Sequence, residues 1–158
     1  MFGKRVYQNE EQEAGADRKA MEAALKEHCI PLLRKSGFRG SFPNFHRDVE
    51  GFVSLVNFQF YSAGGSFCVT ISFADPQRKN VYIDPDTPPN KLKVSQTTDQ
   101  HRLGAAGDGD RWFCFGKTSD GDVRGGILPA SRIAQACKNL LATDAKAWWD
   151  QKRAETQF

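Results

Sequence analysis

The chain has 158 residues, of which 39% are hydrophobic and 26% charged, with 22 Lys and Arg against 19 Asp and Glu for a formal net charge of +3. That size supports one globular domain with a real core and leaves no room for a second. The basic residues are scattered rather than run together, which argues against nucleic acid as a partner, because phosphate-backbone affinity needs a concentrated positive face. No apolar run approaches the ~20 residues of a membrane span, and the N-terminal "MFGKRVYQNEEQEAGADRK" lacks the hydrophobic centre of a secretory signal. The expectation is a cytoplasmic protein with no membrane partner.

Residues 1–16 are polar and acidic and are expected to form a mobile lead-in to a single domain over 17–153, with a tail at 154–158. From Asp17 the pattern turns helical. Met21, Leu25, Cys29 and Leu32 recur at three- and four-residue intervals, flanked by Ala24 and His28, and Gly37 supplies a left-handed stop. Pro31 inside this run predicts a kink near His28. Strands are then predicted at about 42–48, 52–61 and 66–74, separated by the short turns "VEG" and "AGG", so that a meander is the simplest topology.

Residues 76–100 form a proline-rich excursion, with Pro76, Pro85, Pro88 and Pro89, a density that excludes a central strand. "RWFCFG" at 111–116 reads as a fourth strand and "KTSDGDVRGG" as loop. Pro129 opens a helix whose apolar stripe is Ile133, Cys137, Leu140 and Leu141. Thr143 can cap a continuation through Trp148 and Trp149, of which only one can point fully inward, leaving the other available to a partner. Whether 129–153 is one helix or two stays open. The fold class is α+β: an antiparallel sheet of about four strands, one face packed by the N- and C-terminal helices.

The most apolar stretch, "FVSLVNFQFYSAGGSFCVTISFAD", carries Asn57 and Gln59 in its first strand. A turn centred on Ala63 and Gly64, or on Gly64 and Gly65, puts Val56, Phe58 and Phe60 on the same side as Phe67, Val69, Ile71 and Phe73. The amides then fall on the reverse side. A turn at Glu50 and Gly51 adds Phe45 to the core and sends Asn44 and His46 to the polar face. In the first of these registers Asn44, Asn57 and Thr70 line up across three strands, with His46 and Gln59 close by and Cys68 beside Gln59. This face either meets water or a polar cover, or offers its amides and His46 to a ligand, with Val53, Leu55 and Tyr61 adding apolar contact area.

The segment "PLLRKSGFRGSFPNFHRDVEGFVSLVNFQFYSAGGSFCVTISF", and more weakly "HRLG" followed by "DRWFCF", resembles an uncharacterised, mainly bacterial family catalogued as domain-of-unknown-function family 4304. The resemblance covers half to two-thirds of the chain. It implies the strand layout and no catalytic residues.

Catalytic motifs are few. There is no phosphate-binding loop, GxSxG elbow or HExxH. Cys29, Cys68, Cys114 and Cys137 lie far apart without a CxxC pair, which reads as reduced, mostly packed thiols, and neither metal nor cofactor is expected. "GDGD" at 107–110 reads as a turn, since the spaced oxygens and closing glutamate of a calcium loop are missing. His101, Asp110, Arg111 and Trp112 suggest a second polar cluster.

Two readings follow. The favoured one is a non-catalytic protein-binding module, compatible with an immunity-type inhibitor neutralising a toxin, whose candidate binding residues are Asn44, His46, Asn57, Gln59, Thr70, Arg111 and Trp112. The alternative is a small hydrolase-like enzyme using His46 with Asp48 or His101.

Overall fold

The computed structural model describes residues 2–116 and 128–156, with side chains from Arg18 onward. The expected loop "KTSDGDVRGG" lies outside the described residues. The elements in chain order are helix α1 (Phe2–Lys35), strands β1 (Arg39–Ser41), β2 (Asn44–Val49), β3 (Phe52–Phe60), β4 (Ser66–Ala74), β5 (Gln100–Arg102) and β6 (Phe113–Cys114), and helices α2 (Ala130–Leu140) and α3 (Lys146–Thr156). The class is α+β, as the alternation and the helical stripes predict, but with six strands among the described residues rather than about four. β1 and β5 are three residues each, too short to show a period-two pattern.

Strands β1 to β5 follow one another across the sheet as an antiparallel meander, and β6 returns to pair with β4. β5 meets β4 at Thr70, Ile71 and Ser72 while β6 meets it at Ser66 and Phe67, so the two share the outer edge of β4 end to end. Across β2 and β3 the pairs include Asn44 with Asn57 and Phe45 with Val56. Across β3 and β4 they include Asn57 with Thr70, Gln59 with Cys68 and Phe60 with Phe67. This is the register of a turn centred on Ala63 and Gly64. Gly64 and Gly65 both hold φ near +90° (90° and 85°), a conformation that a side chain would strain.

Parity then separates two faces. Phe45, Val56, Phe58, Phe67, Val69, Ile71 and Phe73 form one core with Met21, Leu25, Cys29 and Leu33 of α1 and Ile133, Ala134, Cys137 and Leu141 of the C-terminal helical run. Each fully buried Val, Leu, Ile, Phe or Met among them contributes about 1.5–3 kcal/mol relative to exposure. Leu33, rather than the expected Leu32, continues the α1 stripe, because it lies four residues beyond Cys29 and Leu32 turns partly outward. Cys29, Cys68 and Cys137 are buried free thiols, and burial raises Cys29 to about 12 and Cys137 in the same direction.

The C-terminal run is continuous. α2 passes into α3 through a wider π turn, Leu141–Ala145. Thr143 caps nothing there; its hydroxyl donates back to the Asn139 carbonyl at 2.7 Å. Within the π turn Asp144 Oδ2 accepts the Gly104 N–H at 2.9 Å and lies 2.9 Å from His101 Nε2, tying the helix to the chain after β5. Gly104 holds φ at +80°, a conformation that a side chain would strain, so this approach favours glycine. Trp149 is the inward tryptophan: its indole donates to the Ser72 carbonyl at 2.8 Å and its ring meets Phe38 at 5.2 Å. Trp148 is not spare. It stacks on His101 at 5.8 Å, with Phe73 on its edge and Lys152 over its face.

The proline-rich excursion folds back across the reverse face of the sheet. Short 3-10 turns at Pro89–Lys91 and Val94–Gln96 and a bridge between Val81 and Thr97 shape it. Val81 and Leu92 pack on Val53, Leu55 and Ala74 as a second, smaller core. Val53 and Leu55 are therefore not the surface contact area that strand alternation suggests, but the floor under this cover. Asp75 starts the excursion: its carboxylate accepts the Gln77 N–H at 2.7 Å and the Asn80 N–H at 3.0 Å. The Asn80 amide answers by accepting the Asp75 N–H and donating to the Phe73 carbonyl. Replacing Asp75 by Ala leaves two backbone donors unmet and is expected to cost about 1–3 kcal/mol of unfolding free energy, read by urea denaturation; a loss under about 0.5 kcal/mol, the size of an ordinary surface change, contradicts this role.

Candidate functional site

Four strands contribute one residue each to a row across the reverse face: Asn44 of β2, Asn57 of β3, Thr70 of β4 and Arg102 of β5. Asn57 Nδ2 donates to Asn44 Oδ1 at 2.9 Å, so the two amides act as one unit that keeps a donor and an acceptor to offer. The excursion covers this face only at its Val53 and Leu55 end. Over the polar row it stands off as a wall, leaving a groove of about 410 Å³ lined by Asn44, Asn57, Gln59, Thr70, Gln100 and Arg102 of the sheet and by Tyr82 and Lys93 among others.

The lining contains two cations and no carboxylate. Arg102 is braced rather than free. Its Nε lies 3.2 Å from Asp110 Oδ1, its guanidinium sits over the Trp112 ring, and one of its N–H groups points at Cys68 Sγ. The Trp112 indole in turn donates to Asp110 Oδ2 at 3.0 Å, and its ring meets Tyr61 edge-on. Burial raises the Cys68 thiol above its ordinary value, with Arg102 opposing the shift, so Cys68 supports the guanidinium as a neutral acceptor. At the opposite rim Tyr82 is 61% exposed while its hydroxyl is held by the Ser95 carbonyl at 2.7 Å.

Of the residues that the sequence singles out, Asn44, Asn57, Gln59 and Thr70 come together in this groove, and Trp112 reaches it through Arg102. Arg111 does not: it points to the other side, donating to the Gly104 carbonyl at 3.2 Å and covering Phe113. His46 shares the polar face, but it pairs with Leu55 and Arg39, outside the groove. Asp48 accepts the Gly51 N–H at 3.0 Å, as a turn cap. His101 pairs with Ile71 on the core side and meets Asp144, so His46 and His101 project from opposite faces. The polar cluster expected at 101–112 is therefore split between the two faces of the sheet. Arg102, Lys93 and Tyr82 are among the groove residues that sequence reading misses. Arg102 has a signal, since it falls opposite Thr70 once β5 is placed; Lys93 and Tyr82 sit in an aperiodic segment and have none.

Burial, reinforced by Arg39, holds the His46 imidazole below its ordinary 6.5, against the opposing pull of Asp48. The folded chain thus binds this proton more weakly than the unfolded one. The resulting stability is fully present above the unfolded value and is lost as pH falls through the folded one. His46→Gln is expected to lose less stability than the parent between about pH 7 and 5, measured as urea midpoints across that range; identical pH slopes for the two proteins contradict the assignment.

A protein-family model described as a domain of unknown function (DUF4304) matches residues 29–151. That span runs from the last two turns of α1 into α3 and includes every strand among the described residues. The comparisons with curated proteins and with solved structures return no match. Among the described residues no helix is long and apolar enough to cross a membrane.

Proposed function

The chain belongs to the DUF4304 family, a family defined without an activity, and from that premise we propose that it is a cytoplasmic, non-catalytic binding module that holds a polar, acidic segment of a partner protein in the groove on the reverse face of its sheet. The observation that carries this reading is the row Asn44, Asn57, Thr70 and Arg102 opening into a groove whose lining holds Lys93 and Arg102 and no carboxylate. Amides offer donors and acceptors in pairs, as an extended peptide backbone does, and Lys93 together with an Arg102 held from behind by Asp110 complements acidic side chains in a lining without a carboxylate.

Tyr82 supplies the exposed aromatic that interface energetics favour, a large ring at low entropic cost with its hydroxyl already fixed. The groove's other cation, Arg102, is preorganised by Asp110 and Trp112, which lowers the entropy lost on binding. A toxin neutralised by an immunity-type inhibitor is the partner class we put first; the groove's charge requires that such a partner present Asp or Glu to it.

The test is affinity capture from the native host, read by mass spectrometry, with the parent and Asn57→Ala/Gln59→Ala. A protein recovered by the parent and lost by the variant at unchanged thermal midpoint supports the groove as interface. Tyr82→Ala is then expected to weaken the purified pair by about 2 kcal/mol, roughly thirtyfold. Equal recovery by parent and variant, or no specific protein at all, overturns the reading.

A further inference from the structure

A second cavity lies on the helix side of the sheet, where the end of α1, strand β2 and helix α3 meet. Its volume is about 450 Å³, within the range that small ligands occupy. Leu33, Phe38, Leu141 and Trp149 make its apolar wall, while Arg47, Lys146 and Arg153 face it with Asp150 as the lone anion.

Arg47 is the unusual member. Its strand position has the same parity as Phe45, so a charged side chain is turned toward the core side of the sheet. Its guanidinium lies over the rings of Phe38 at 4.7 Å and Trp149 at 5.7 Å and donates to the Ser36 carbonyl at 3.1 Å. Its Nε is buried with no hydrogen-bond partner among the described residues. Burial, and after it Arg153, lowers the pKa of this arginine, with Asp150 acting the other way. Asp150 is itself engaged by Lys146 at 2.7 Å. Two guanidinium groups thus share an apolar cavity, and the nearest carboxylate is already paired.

We propose that this cavity binds a small amphipathic carboxylate, its anionic head between Arg47 and Arg153 and its apolar body against Phe38, Leu141 and Trp149. A carboxylate matches the planar fork of a guanidinium and offsets the repulsion between the two arginines. The apolar wall selects against a bare inorganic anion. The site is independent of the groove, since its residues lie across the sheet from the polar row.

Octanoate, octanol and inorganic phosphate are the probes, titrated into isotope-labelled full-length protein and followed by amide and indole chemical shifts. Octanoate is expected to give saturable shifts centred on Arg47, Leu141 and Trp149, and octanol and phosphate to bind at least about tenfold more weakly. Arg153→Gln is expected to weaken octanoate by about tenfold, and Asp150→Asn, which removes the competing anion, to strengthen it. Arg47→Gln would disturb packing, so the two α3 variants carry the test. Octanol or phosphate binding as tightly as octanoate, affinities unmoved by both variants, or no saturable shift would each overturn the proposal.

Discussion

Everything in this molecule depends on the pairing of β3 with β4. Their nine-residue strands meet so that Phe58 faces Val69 and Phe60 faces Phe67, and because side chains alternate, a slip of one residue would send the phenylalanines to the polar side and the amides into the core. The glycine turn holds that choice. One face then becomes apolar enough for two helical elements to dock, and the other collects Asn44, Asn57, Thr70 and Arg102 in a row that no apolar element could cover without stranding their hydrogen-bonding groups.

What the reverse face does follows from where the excursion can cover it. Its apolar residues, Val81 and Leu92, find Val53, Leu55 and Ala74 at one end of the sheet, and Asp75 with Asn80 fixes the departure of the chain toward them. At the other end the excursion brings Tyr82 and Lys93 beside the polar row and stops short of it. Cover and groove are thus two consequences of one segment. On the opposite face Trp149 on the Ser72 carbonyl and Asp144 on the Gly104 N–H help hold the C-terminal helical run, and the cavity at Arg47 lies beside the first.

The parts of this arrangement legible in the sequence are those with a period. Strand alternation and turn residues led to the face each residue takes and to two β3–β4 registers, of which the Ala63–Gly64 turn, the one aligning Asn44, Asn57 and Thr70, is observed, and the spacing of Met21, Leu25 and Cys29 led to the buried stripe of α1. What lacks a period was not legible. β1 and β5 are too short to alternate, the excursion's turns depend on Asp75 and Asn80 closing on each other, and Tyr82 and Lys93 reach the groove only through that closure. Arg47 is an intermediate case. The strand pairing gives this charge core-side parity, and its meaning needs Phe38 and Trp149, which approach from outside the sheet.

The central claim is that the groove over the amide row is where this protein meets its partner. A photo-crosslinking residue placed at Gln59 in the native host, with a second at Gln135 on the exposed side of α2 as reference, addresses it without removing any groove charge. The account predicts a discrete protein adduct from position 59 and none from position 135. An adduct formed from position 135 but not from position 59 would contradict it.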